Sequence, residues 1–350
     1  MKKVQSSIFT TVIVVIMLFS YISNGKACSR VVYEGPNNTI ITARSMDWRF
    51  DIKTNLWIFP AGMERSGMAG ANSIKWKSKY GSVIASAYEM ASSDGMNEKG
   101  LVANVLWLSE AEYPVRDEKK QGLSVAAWVQ YALDNFTTVN EVVEFFKDEK
   151  IDMISAETPD LKGVATLHLC VSDATGDNAI FEYIKGKLIV HHDRSYVVMT
   201  NSPTYDKQLA LTEYWNEVGG TVMLPGTNKA EDRFVRASYY IKACEQTDNI
   251  RLALASVFGV IRNVSVPYGI TVPDKPNLSS TRWRSVADHK NRIYYFETFD
   301  SPSVLWVDLK EADLKEGSPV KKLTLTNGEI YGGSAVKNFV NAEPFKFAGY

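Results

Sequence analysis

The run Cys28-Ser29-Arg30-Val31-Val32-Tyr33-Glu34-Gly35-Pro36-Asn37-Asn38-Thr39-Ile40-Ile41-Thr42-Ala43-Arg44-Ser45-Met46-Asp47-Trp48 decides the fold. Two β-rich segments, 28–33 and 39–44, flank the turn formers Glu34-Gly35-Pro36-Asn37-Asn38. Branched and aromatic side chains favour extended backbone, and Gly-Pro-Asn-Asn breaks it. The run therefore predicts an antiparallel hairpin. Folding about Gly35-Pro36 would bring Arg44 back beside Cys28, with Asp47 just beyond.

What precedes Cys28 gives that residue its meaning. Lys2 and Lys3 lead into an apolar stretch from Ile8 to Ile22, followed by Ser23-Asn24-Gly25-Lys26-Ala27. This reads as a secretory signal over 1–27, with small Gly25 and Ala27 suited to a cut before Cys28. The apolar stretch falls short of the roughly 20 residues that a membrane span needs. The expectation is an exported protein, periplasmic or secreted, without stable membrane insertion after processing. Residues 28–350 would then form a single domain.

A cysteine at a new N-terminus carries two reactive groups. Its thiol is a nucleophile. Its own α-amine, with a free pKa of about 7.7–8.0, can take the thiol proton. No histidine is needed, and His168, His191, His192 and His289 stand in no obvious catalytic context. A guanidinium from Arg44 would favour the thiolate, and a carboxylate from Asp47 would orient the amine. The alternative for these two is a plain ion pair at a strand end. A rival reading of Cys28 is a lipidated cysteine anchoring an exported binding protein. Lys26 and the strand-like run directly after Cys28 argue against it.

The rest of the chain is ordinary for a globular protein. It has 350 residues, 45% hydrophobic and 23% charged, with a net charge of −1. A basic excess or stripe is missing, which excludes a nucleic-acid partner. Strands are predicted at 82–86, 101–107, 166–172, 179–183, 187–191 and 196–200, and again at 282–287, 292–298 and 303–308. Helices are predicted at 123–135, 138–147, 231–243 and 248–258, the second opening on a Thr138-x-x-Glu141 capping box. Strands, then helices, then strands again suggest one layered α+β domain. Cys170 and Cys244 read as buried small hydrophobes, with no disulfide framework. His191 and His192, adjacent in a strand, point to opposite faces, so no metal site is expected, nor any cofactor.

Several blocks together resemble the choloylglycine hydrolase family of penicillin V acylases and conjugated bile acid hydrolases. They are Cys28-Ser29-Arg30, Ala43-Arg44-Ser45-Met46-Asp47-Trp48, Met96-Asn97-Glu98-Lys99-Gly100-Leu101, Thr200-Asn201-Ser202-Pro203-Thr204 and Arg233-Phe234-Val235-Arg236-Ala237. The resemblance implies a four-layer αββα sandwich of two antiparallel sheets between helix layers, the N-terminal-nucleophile fold. It implies Cys28 as nucleophile, Arg44 and Asp47 as its activating pair, Asn201 as oxyanion donor and Arg233 as electrostatic support. Trp107 falls where relatives offer a backbone N–H to the oxyanion. Without the resemblance, Asn201 reads as a turn residue, Arg233 as a helix-surface charge and Trp107 as core. Trp48 and Trp107 could line an apolar substrate pocket. The implied activity is hydrolysis of a linear amide with an apolar acyl group, penicillin V acylase-like and extending to acyl-homoserine lactones. Conjugated bile salt hydrolysis is the alternative. The family also implies a homotetramer.

Overall fold

The structure, a computed structural model, describes residues 27–160, 163–219, 223–270 and 279–349. Apart from Ala27, the expected leader lies outside the described residues. The opening hairpin is present as strands Ala27–Gly35 and Thr39–Trp48. Both run longer than the β-rich segments alone predict, because extension continues through Glu34-Gly35 and through Ser45 to Trp48. The turn is compressed into Pro36–Asn38, where Asn37 and Asn38 take left-handed φ of 55° and 56°. Asparagine tolerates that region better than most residues.

The hairpin supplies the second and third strands of a seven-stranded sheet. Its order is Val198–Met199, Ala27–Gly35, Thr39–Trp48, Ser280–Asp288, Ile293–Thr298, Leu305–Asp308 and Gly333–Ser334. A nine-stranded sheet lies against it, ordered Lys187–His192, Asn178–Ile184, Leu167–Ser172, Val102–Trp107, Ala91–Asn97, Ser82–Ala87, Leu56–Phe59, Lys321–Leu323 and Val340–Asn341. Within these two sheets pairing is antiparallel except between Leu305–Asp308 and Gly333–Ser334.

Helices cover the outer faces. Helices α1 (Trp128–Asn135) and α2 (Val139–Phe146) pack on the nine-stranded sheet. Helices α4 (Ala230–Ala243) and α5 (Ile250–Asn263) pack on the opening hairpin, and α3 (Tyr205–Val218) packs on α4. This is the αββα arrangement expected above.

Local chemistry explains the helix boundaries. The α2 capping box is complete: Thr138 Oγ1 accepts from the Glu141 N–H at 3.3 Å, and the Glu141 carboxylate accepts from the Thr138 N–H at 3.2 Å. Such a cap contributes about 1 kcal/mol. The helix predicted over 123–135 begins later. Gln121–Ser124 is extended and pairs with Ile151–Ile154, Val125–Ala127 forms a 3-10 turn, and α1 starts at Trp128. The helix expected over 248–258 starts at Ile250, where the Asn249 side chain caps it, and continues to Asn263. The strand predicted over 196–200 contributes only Val198–Met199. Among the described residues no helix is long and apolar enough to cross a membrane.

Candidate active site

Alternation along the hairpin sorts its side chains onto two faces. Cys28 pairs with Met46, Arg30 with Arg44 and Ala27 with Asp47. Arg44 therefore stands two positions along from Cys28, not opposite it, because the turn is centred on Asn37, later in the chain than a fold about Gly35-Pro36 requires. Cys28, Arg30, Arg44, Met46 and Trp48 face the second sheet. Ser29, Ser45 and Asp47 face α4 and α5.

On the inter-sheet face the Cys28 thiol is buried, with Sγ 3.8 Å from Met46 Sδ and 3.8 Å from the Asp47 carbonyl oxygen. Arg44 donates to the Ser93 carbonyl at 2.5 Å, lies 3.5 Å from Asp94 and sits over the Trp283 ring at 5.0 Å. Asp94 also accepts from Asn104, Ser285 and Tyr294, which fixes the carboxylate that fixes Arg44. Burial pushes the Cys28 thiol above its ordinary value, and the positive charge of Arg44 opposes this without cancelling it. The thiol thus needs a base close by.

On the helix face α4 supplies Arg233, fully buried. It donates to the Cys28 carbonyl at 2.6 Å, to Ser29 Oγ at 2.5 Å and to Asn201 Oδ1 at 3.0 Å. Asn201 Oδ1 also accepts from the Cys28 nitrogen, which here is the amide of the Ala27–Cys28 bond. Two donors on the oxygen orient the Asn201 side chain, so its nitrogen faces the other way and donates to the Trp107 carbonyl at 2.7 Å. A carboxamide nitrogen has a second hydrogen to offer. Asp47 lies 3.9 Å from Arg233 and accepts from Ser45 at 3.1 Å and from Thr281. Burial raises its pKa in spite of Arg233. The Cys28 amide nitrogen is thus held by Asn201, whereas the expectation for Asp47 concerned a free α-amine at this position.

Cys28, Arg44, Trp48 and Trp107 line one cleft of about 760 Å³, whose walls are almost wholly apolar. The Trp48 and Trp107 rings meet at 5.3 Å, tilted by 42°. A buried thiol lining a cleft with two tryptophans suits an apolar group attached to an electrophilic carbon.

Residues 28–322 match the linear amide C-N hydrolases of the choloylglycine hydrolase family. The chain belongs to that family. It is 51% identical to a penicillin V acylase from Pectobacterium atrosepticum, over 99% of this chain and 98% of that one. A penicillin V acylase structure from Agrobacterium tumefaciens superposes with a TM-score of 0.86 at 57% identity, covering 92% of this chain and all of that one. A conjugated bile acid hydrolase from Clostridium perfringens shares the fold at a TM-score of 0.74 and 24% identity, covering 87% of this chain and 98% of that one. This choloylglycine hydrolase family member is thus an amidase acting on linear C–N bonds.

Sequence reasoning missed the residues that hold Asn201 from behind. Gln208, buried on α3, donates to the Asn201 and Pro203 carbonyls and accepts from Thr200 Oγ1 at 2.8 Å. His168 reaches the Thr200 carbonyl at 2.9 Å through Nε2 and Glu182 at 3.1 Å through Nδ1. Glu182 also meets His191 at 3.3 Å and accepts the first N–H of α3, from Tyr205. The contacts of His168 and Tyr205 join residues well apart in the chain, and Gln208 reaches back over Asn201 only because α3 folds against the turn at 200–203, so no sequence pattern announces them. His191 and His192 do face apart, onto Glu182 and Asp177 respectively. Cys170 is fully buried as expected, whereas Cys244 is half-buried at the end of α4. Arg233 and Arg236 are buried, not surface charges.

Burial alone would raise the Glu182 pKa, but hydrogen bonds from His168, His191 and Tyr205 outweigh it and hold it at about 2. A depressed carboxylate stabilises the fold above its unfolded pKa, and this is lost as pH falls through the folded value. From 4.5 to about 2 the linkage is worth roughly 3 kcal/mol. Wild type should therefore lose stability steeply across that window in urea titrations, and Glu182→Gln should show a shallower pH slope there. Equal slopes for the two proteins would refute the assignment.

Proposed function

We propose that removal of residues 1–27 frees the Cys28 α-amine and that the exported enzyme cleaves a linear amide through a thioester. The Cys28 sulfur adds to the amide carbonyl as the thiol proton passes to the α-amine. The second Asn201 N–H and the Trp107 backbone N–H stabilise the oxyanion. The protonated α-amine gives its proton to the leaving nitrogen as the C–N bond breaks. Water then loses a proton to the amine and adds to the thioester, and the thiol is restored as the acid departs. Arg233 holds the Cys28 carbonyl and Asn201 in register. Arg44 lowers the cost of the thiolate, and Asp47 balances Arg233. The site uses no metal or cofactor.

The observation that carries the substrate reading is the Trp48–Trp107 pair beside Cys28 in an apolar cleft. Aromatic walls suit a phenoxyacetyl group, as in penicillin V, and also the acyl chain of an acyl-homoserine lactone. Similarity to two penicillin V acylases over nearly the whole chain supports the same choice. The leader supports a periplasmic or secreted location.

The test is a comparison of kcat/KM across phenoxyacetyl amides, glycine- and taurine-conjugated bile acids and long-chain acyl-homoserine lactones. Phenoxyacetyl amides should exceed bile acid conjugates by about tenfold or more, with acyl-homoserine lactones also turned over. Preference for bile acid conjugates would replace this reading with bile salt hydrolysis. Mass spectrometry of the mature N-terminus should find free Cys28; a diacylglyceryl adduct would point to a tethered protein.

A further inference from the structure

One carboxylate joins three separate segments at the rim of the cleft. Asp160 Oδ2 accepts from the Trp48 indole N–H at 2.7 Å and from the Tyr88 hydroxyl. Trp48 ends the second hairpin strand, and Tyr88 lies in the turn between Ser82–Ala87 and Ala91–Asn97, at a left-handed φ of 53°. Burial, and then Asp160 itself, push the Tyr88 hydroxyl well above its ordinary pKa, so it stays a donor.

The segment leading to Asp160 divides two cavities. Thr158, Pro159, Met90 and Ala348 line the tryptophan cleft on one side. The same residues line a broader space on the other, open to solvent, whose further walls mix Met68, Ile154, Val164 and Phe347 with Glu112 and Arg116. The partition is a single layer of residues, and among the described hydrogen bonds the Asp160 side chain ties it only to Trp48 and Tyr88.

We propose that Asp160 is a specificity-determining positioning residue, which holds this partition against Trp48 and Tyr88 and so limits the length of the acyl group that the cleft admits. The proposal rests on the reading that the apolar cleft binds the acyl group. With the tie intact, a compact aryloxyacetyl group fills the cleft. With it broken, the partition can move aside and a long acyl chain can run on into the second space, over the apolar side chains of Met68, Ile154, Val164 and Phe347 that stand among its polar ones. A hydrophobic pocket discriminates chain lengths by about tenfold or more through such contacts.

The experiment compares N-phenoxyacetyl and N-dodecanoyl amides of one chromogenic aminobenzoate in wild type, Asp160→Ala, Asp160→Asn and Tyr88→Phe. Asp160→Ala should raise the dodecanoyl-to-phenoxyacetyl ratio of kcat/KM by about tenfold, chiefly through KM. Asp160→Asn keeps an acceptor oxygen and should restore most of the wild-type ratio. Tyr88→Phe removes one tie and should move the ratio in the same direction by less. An unchanged ratio in folded Asp160→Ala overturns the proposal. If that variant does not fold, an unchanged ratio in Tyr88→Phe overturns it instead. Failure of wild type to cleave either amide would count against the functional reading alone. The role of Asp160 is then decided by tryptophan fluorescence, comparing dodecanoate and phenoxyacetate binding to Cys28→Ala with and without Asp160→Ala, by the same criterion.

Discussion

Cys28→Ala is expected to lose turnover of a phenoxyacetyl amide by at least about 10³-fold while keeping its fold. In the proposed mechanism the sulfur is the attacking atom, and neither other cysteine can replace it: Cys170 is buried between strands of the other sheet and Cys244 ends α4. The structural cost is small. The side chain is short, its contacts on the thiol side are with Met46 and the Asp47 carbonyl, and Arg233 grips the backbone oxygen, which alanine retains. Removing one small buried group costs on the order of 1 kcal/mol. Progress curves together with a thermal melt decide the matter. Substantial activity in a folded Cys28→Ala protein of confirmed mass would refute the nucleophile assignment.

Asn201→Ala should show the second largest effect, about 10²–10³-fold in kcat from loss of one oxyanion donor. It should also destabilise the protein by about 1–3 kcal/mol, because the Arg233 donor now bonded at 3.0 Å is left buried and unpaired. The two effects separate in Asn201→Asp, which keeps an acceptor for Arg233 and for the Cys28 nitrogen but offers no N–H to the oxyanion. That variant should lose kcat at least as severely while melting closer to wild type. Retention of kcat in Asn201→Asp would mean that the side chain acts only as an acceptor.

The hairpin, the α2 capping box and α4 were legible in the sequence because each depends on near neighbours. Turn chemistry, a Thr-x-x-Glu spacing and a helical period need no knowledge of the rest of the chain. Helix α3 was not foreseen. It buries only Tyr205 and Gln208 fully and leaves Leu211, Tyr214 and Val218 exposed, so it lacks an apolar stripe. The strand Ala91–Asn97 was missed for a different reason. Its small and polar residues carry little β preference, and it is held by long-range partners such as those of Asp94.

Within the site, residue types were readable while their partners were not. Cys28, Arg44, Asp47, Asn201 and Arg233 do converge on one region. The Cys28 nitrogen, however, turns to Asn201, and the supports of Asn201 come from Gln208 and His168. Such pairings arise only when two sheets and a helix layer close on one another.

The opposed faces of the opening hairpin also make the chemistry a matter of parity. Near its open end the even-numbered Cys28, Arg44, Met46 and Trp48 look into the cleft, while the odd-numbered Ser29, Ser45 and Asp47 look toward α4 and α5. Shifting cysteine to position 29 would aim sulfur at Arg233 and remove it from the cleft, whatever happened at the bond before it. On the proposed mechanism, the place of the cysteine in the count of the strand matters as much as the atom it carries.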